Sequence, residues 1–245
     1  MMRDPRINEV RKPSAVPVAG SFASPPGEHE PLLLTLGDLH GKIGIYGGSF
    51  DPPHIAHHAC AQTARAGRGL DTVIFMPTAA NPFKPGGPVA SQHDRIEMLR
   101  LMLREDKAMC VSPAQFATGR ERYTIDLLEY LRSAVPADAR LHLILGSDLL
   151  AEFHRWKRFR EVPSIAQIIP VNRAGFEPDW RALELTLDAE LVAALQPAAV
   201  NLAAGDIRSR ELRQRIAAGE RPVEVPVAVM DYIERQGLYG AGSSR

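Results

Sequence analysis

Three histidines, His54, His57 and His58, follow the stretch Gly47-Gly48-Ser49-Phe50-Asp51-Pro52-Pro53. An imidazole can donate a hydrogen bond to an anionic oxygen, ligate a metal or cap a helix, so the neighbouring residues decide among these. Gly47 and Gly48 close an apolar run at a point where a Cβ would obstruct a turn or a ligand lying against the backbone. Pro52 and Pro53 suit the first turn of a helix, where a missing N–H costs nothing, and the spacing predicts that helix over roughly residues 53–66. Its start would offer unpaired N–H groups and the positive end of the helix dipole, a ready site for phosphate. His54 and His57, three residues apart, would share a face there, while His58 points elsewhere and reads as a surface residue. The stretch lacks the lysine of GxxxxGK[ST] and the third glycine of the dinucleotide fingerprint. A zinc pair would need carboxylate or thiolate partners at useful spacing, and none accompanies these histidines. Donors to phosphate oxygen are the preferred reading, with a metal pair and capping histidines as the alternatives.

Such a site needs a frame that brings the helix start to a crevice. Short apolar runs at 42–46, 72–76, 108–111, 141–145, 166–171 and 199–203 read as buried strands. Helical spacing lies between them: Ile96, Leu99 and Leu103 share a face, and Ser91 with Asp94 three residues on resembles a capping box opening that helix. Strands separated by helical crossovers imply βαβ units and a parallel sheet. The predicted fold is α/β, a Rossmann-like doubly wound parallel sheet with helices on both faces. In such sheets ligands sit beyond the strand C-termini at the switch point, which gathers the loops after residues 46, 76, 145 and 203 around one crevice.

The 245 residues are 45% hydrophobic and 24% charged, ordinary for a globular chain. The 29 basic and 29 acidic residues cancel, which gives no reason to expect nucleic acid or an anionic membrane as a partner, and makes any phosphate recognition local. Cys60 and Cys110 form no CxxC pair and fit buried packing in a reducing compartment. No apolar stretch approaches the ~20 residues that span a bilayer, and no signal-peptide core follows the N-terminus. A cytoplasmic chain is the expectation. Residues 1–41, with six prolines and no sustained period, read as a disordered extension, and 42–245 as the domain. Within the extension Leu32 to Leu36 form an apolar cluster able to dock on the body. The oligomeric state stays open, a homo-oligomer included.

The stretch GGSFDPPHIAH resembles the signature of nucleotidyltransferases with an H-x-G-H motif, which join a nucleotide to a phosphate-bearing acceptor. Here the motif reads His54-Ile55-Ala56-His57, with Ala56 where glycine is usual. Within that superfamily, about residues 42–240 resemble the nicotinate-nucleotide adenylyltransferases of bacterial NAD biosynthesis. MPTAANPFKP (76–85) is similar to their post-strand loop, with Phe83 in place of a histidine. RYTIDLLEYL (122–131), LILGSDLLAEFHRW (143–156), GDIRSRELRQRI (205–216) and VMDYIERQGLYG (229–240) match further segments in the right order.

The resemblance implies attack of the 5′-phosphate of nicotinate mononucleotide on the α-phosphorus of ATP, with Mg²⁺ accompanying the ATP. It casts His54 and His57 as donors to the ATP phosphates, His57 at the reacting one. Backbone groups of Gly48, Ser49 and Phe50 would line the adenylate, and Gly146 and Asp148 the ribose, with a helix N-cap as the alternative role of Asp148. Ser209, Arg213 and Arg208 would hold the triphosphate. Arg208 and Arg210 replace hydroxyl residues of the family pattern, and a solvated basic face is the alternative for Arg210 and Arg215. On the acceptor side, Trp156 would stack on the pyridine ring from an exposed platform, Thr124 would read its carboxylate and Lys84 would meet phosphate. For Trp156 a core role is the alternative, for Lys84 simple solvation. Two rival functions stay open: the same chemistry on nicotinamide mononucleotide or another phosphorylated acceptor such as phosphopantetheine, and a non-catalytic adenine-nucleotide sensor.

Overall fold

Each of the six apolar runs becomes a strand. In the computed structural model, which describes residues 36–78, 87–113, 123–173, 177–203, 205 and 207–242, they are β1 (Lys42–Gly48), β2 (Thr72–Pro77), β3 (Met109–Val111), β4 (Arg140–Gly146), β5 (Ala166–Arg173) and β6 (Val200–Leu202). The helices are α1 (Ile55–Arg68), α2 (Gln92–Leu103), α3 (Thr124–Ala134), α4 (Val162–Ile165), α5 (Trp180–Leu183), α6 (Ala189–Leu195), α7 (Ser209–Ala217) and α8 (Val227–Arg235). All pairings are parallel and the order is β3-β2-β1-β4-β5-β6, so the chain reverses its direction of winding between β1 and β4. That pair runs in register from Lys42 opposite Arg140 to Tyr46 opposite Ile144. A doubly wound sheet has its ligand crevice at this reversal, beyond Gly48 and Gly146.

Side-chain alternation along each strand divides the core. Ile43, Ile45, Ile74, Met76, Leu141, Leu143 and Leu145 pack on one face with Ile125 and Leu128 of α3. Tyr46, Val73, Phe75, Ile144 and Ile169 pack on the other with Cys60, Ala61 and Ala64 of α1 and Leu99 of α2. Strands covered on both faces need apolar residues at nearly every position, which is why these runs are continuous in sequence. A third cluster joins Met98 of α2 to Leu212 and Ile216 of α7 and to Val229, Met230 and Ile233 of α8. It seats the C-terminal helices against α2.

Ser91 is the N-cap of α2, as its spacing with Asp94 predicts, but only half of a capping box forms: its hydroxyl accepts from the Asp94 amide at 3.1 Å, while the Asp94 carboxylate accepts from that hydroxyl at 2.6 Å. The helix carrying the histidines begins two residues later than expected. Pro52 and Pro53 are buried in the preceding loop, not in its first turn, and His54 is the N-cap. A 3₁₀ turn at Leu36–Asp38 precedes β1, with Leu36 packed against the core and Leu39 buried in it. Among the described residues no helix is long and apolar enough to cross a membrane.

Candidate active site

The loop between β1 and α1 is built around Phe50. Its backbone lies in the left-handed region at φ 48°, which turns the chain sharply, and its ring is 1% exposed. The ring meets Tyr46 and Phe75, each at 5.5 Å between centroids, and stands edge-on beneath His57 at 5.0 Å. Gly48 is required by this turn, because a Cβ there would lie 2.8 Å from the Phe50 ring; a Cβ on Gly47 would meet nothing within 4 Å. Within the protein itself, therefore, a Cβ is obstructed at Gly48 and not at Gly47.

The two histidines lie face to face, their rings 3.6 Å apart and 24° from parallel. His54 is buried and His57 half-buried. The backbone N–H of His54 donates to Nδ1 of His57 at 3.2 Å. An atom that accepts a hydrogen bond carries no proton, so the neutral His57 ring holds its hydrogen on Nε2. The start of α1 is less open than the sequence implies. The Ile55 amide donates to the Glu224 carbonyl at 2.9 Å, and the His57 amide to the His54 carbonyl at 2.9 Å. Capping thus falls to the Nδ1 edge of the His57 ring. His58 is a correction: it is half-buried and meets Asp106 at 3.2 Å, tying α1 to the turn before β3.

Gly146 ends β4 beside the same reversal, followed by a 3₁₀ turn over Ser147–Arg155. The N-cap of that turn is Gly146; Asp148 lies exposed in its first turn, so the capping role considered for Asp148 does not hold. Trp156 is half-buried, edge-on to Phe153 at 5.3 Å and packed against the core, less of an open platform than its polar neighbours imply. Thr124 is the first residue of α3 and half-buried. Lys84 and Phe83 lie outside the described residues.

Ser209 and Arg213 reach the histidine loop directly. The Ser209 hydroxyl donates to the Pro52 carbonyl at 2.9 Å, and Arg213 Nη1 donates to the Asp51 carbonyl at 2.6 Å. Two of the three side chains expected to hold the triphosphate, Ser209 and Arg213, thus bond to the loop that presents the histidines. Arg208 is the exposed N-cap of α7 and Arg210 is exposed in its first turn. Arg215 pairs with Glu220 at 2.8 Å and Glu224 at 2.9 Å, ion pairs that join α7 to the segment following it.

Sequence reasoning passed over three polar residues beneath the loop. Asp51 and Arg95 are each 2% exposed, and Tyr239 joins them from the C-terminal turn. Arg95 left a signal: it sits three and four residues before Met98 and Leu99, on the buried stripe of α2, where a guanidinium needs partners. Tyr239 left none, since its partner is 188 residues away in the chain.

Comparison with known proteins settles the family. The chain matches the cytidylyltransferase-like family over residues 45–215. A protein of Herpetosiphon aurantiacus named "Probable nicotinate-nucleotide adenylyltransferase" is 38% identical over 200 residues, 81% of this chain and 98% of the relative. One of the same name from Rhodopirellula baltica is 34% identical over 202 residues, covering 82% and 94%. The chain belongs to the nicotinate-nucleotide adenylyltransferase family. The fold agrees: the Plasmodium falciparum nicotinic acid mononucleotide adenylyltransferase complexed with NaAD superposes with a TM-score of 0.66 over 84% of this chain and 100% of that one, at 19% identity.

Proposed function

We propose that this adenylyltransferase transfers AMP from ATP to nicotinate mononucleotide, releasing pyrophosphate and forming deamido-NAD. A phosphate oxygen of the mononucleotide attacks the α-phosphorus of ATP, a new P–O–P bridge forms, and the bond to the β-phosphate breaks with its electrons leaving on pyrophosphate. The nucleophile is already an anion at neutral pH, so no general base is needed. Rate comes from aligning two phosphates and stabilising charge on the oxygens of the reacting phosphorus.

The observation that carries this reading is the stacked histidine pair at the sheet reversal, with the Nδ1 edge of His57 accepting from the His54 amide and its proton therefore on Nε2. An Nε2–H donor serves a phosphoryl oxygen without transferring a proton. His54 is the second donor of the pair, with Gly48, Ser49 and Phe50 lining the adenylate and Gly146 and Asp148 the ribose. Thr124, Trp156 and Lys84 serve the acceptor. Arg208 serves the β,γ-phosphates together with Ser209 and Arg213, which also brace the histidine loop.

Among the described residues no three His, Cys, Asp or Glu side chains group to hold a metal, and the buried carboxylate nearest the histidines, Asp51, is occupied by N–H and O–H donors. That donor set suits an ion arriving on the nucleotide, bound by its phosphate oxygens and water, so Mg²⁺ enters as part of the substrate. Purified protein supplied with ATP, Mg²⁺ and either nicotinate or nicotinamide mononucleotide tests the reading. Pyrophosphate release with the acid form well above the amide form is expected. Equal turnover of both, or none with either, overturns it.

A further inference from the structure

The loop from Ser49 to Ile55 is held by groups from four distant parts of the chain. Arg95 of α2 donates from Nη1 to the Ser49 carbonyl at 2.9 Å and to the Thr78 carbonyl at 2.7 Å. The Asp51 carboxylate accepts from the Val89 amide at 2.7 Å, the Ala90 amide at 3.1 Å and the Tyr239 hydroxyl at 2.7 Å, with Arg213 Nη1 at 3.5 Å. The Arg213 and Ser209 bonds to the Asp51 and Pro52 carbonyls and the Glu224 carbonyl on Ile55 complete the set.

Two features separate this arrangement from ordinary core packing. Buried charge is retained at 2% exposure in the middle of it, where an apolar side chain of equal size would cost less to bury. And every one of these bonds, apart from that of Arg95 to the Thr78 carbonyl, ends on the seven residues from Ser49 to Ile55 around the His54 N-cap. The loop has no regular secondary structure of its own to fix it, so these contacts set where the His54 amide lies, and hence the tautomer and position of His57. Burial, then the neighbouring Asp51 carboxylate, push the Tyr239 hydroxyl well above the usual tyrosine range, which keeps it a donor at any working pH.

Resting on the adenylyltransferase reading, we propose that Asp51, Arg95 and Tyr239 are positioning residues for the histidine pair: the C-terminal turn reaches under the catalytic loop and, through Asp51, fixes the geometry that transfer requires. Positioning of this kind acts on the chemical step more than on nucleotide affinity.

The test uses full-length Tyr239→Phe, Asp51→Asn, the double variant, Arg95→Met and Arg95→Lys. Measurements are kcat and KM with both substrates, ATP affinity of the free protein, and ¹⁵N shifts of the labelled His57 ring. In Tyr239→Phe, which removes one oxygen, kcat should fall about tenfold while ATP affinity stays within about twofold. The ring should lose its single Nε2–H signature. The double variant should be no slower than Asp51→Asn, because the hydroxyl acts through that carboxylate. Arg95→Lys should retain more turnover than Arg95→Met, since one ammonium can still serve both carbonyls. The proposal is overturned if Tyr239→Phe keeps kcat and the ring signature while losing only thermal stability, or if the Asp51 and Tyr239 effects multiply. A wild-type protein inactive on nicotinate mononucleotide would remove the functional reading alone; the ring signature in the variants still decides this one.

Discussion

The two nitrogens of the His57 ring have separate duties, since Nδ1 accepts the His54 amide at 3.2 Å and Nε2 carries the proton. This division makes a graded set of substitutions informative. His57→Ala removes both functions, and losing one preorganised donor to a developing oxyanion typically costs about 10²–10³ in kcat. The amide of glutamine can stand where Nε2–H was, and that of asparagine where Nδ1 was. His57→Gln should therefore keep more turnover than His57→Asn, with His57→Ala the slowest. Steady-state rates of the three variants at saturating substrates check the order, and a His57→Asn enzyme faster than His57→Gln would show that the capping edge matters more than the donor edge.

At the level of elements, the parallel sheet brings the loop ends together and its burial sets the behaviour of titratable groups inside it. His142 lies on β4, 5% exposed, with Nδ1 near the Arg140 carbonyl at 3.0 Å. Burial pulls its imidazole below the ordinary 6.5, against the opposing effect of its hydrogen bond to that carbonyl. With the folded value lowered, the unfolded chain takes up the proton first. Stability is then complete above the ordinary value and declines as pH falls below it, until the folded site titrates too. Urea midpoints from about pH 7 to about pH 5 should fall in the native protein and fall less in His142→Asn. An identical slope in the variant would assign the decline to other groups. On β3, burial pushes the Cys110 thiol up to about 12, and Cys60 on α1 is also buried. Neither should react with a chromogenic disulfide at neutral pH until denaturant is added, and prompt labelling of the native protein would contradict that.

The whole molecule is tied together from both ends. Leu39, before the first strand, is 4% exposed in the core, and Leu36 packs against the same cluster. The working unit thus reaches further toward the N-terminus than the strand pattern alone indicates. Removing residues 1–35 should leave kcat and the melting temperature close to those of the full chain. Leu39→Ala should cost about 2–5 kcal/mol of stability, the usual range for emptying a core leucine site. Calorimetry of the truncated chain and of the variant separates these expectations, and a large loss of activity on truncation would give the first 35 residues a role in the site. At the other end, the cluster of α2, α7 and α8 places Tyr239 and Arg213 beneath the histidine loop. A C-terminal truncation before Leu238 therefore carries the same expected loss of turnover as Tyr239→Phe.

What was legible in one dimension is what depends on local pattern. Continuous apolar runs marked the strands because both faces of a parallel sheet are covered, and Ser91 with Asp94 marked a helix start because the capping bond spans three residues. The histidine pair was visible because glycine, proline and imidazole sit within one short loop. The tertiary structure decided what distance along the chain conceals. Ser209 and Arg213 are phosphate ligands only by family resemblance; folding shows them also bonded to the carbonyls of Pro52 and Asp51, 157 and 162 residues away. Tyr239 has no local signature at all. Hydrogen bonds between remote segments depend on where the core packs them, and no periodicity along the chain encodes that meeting.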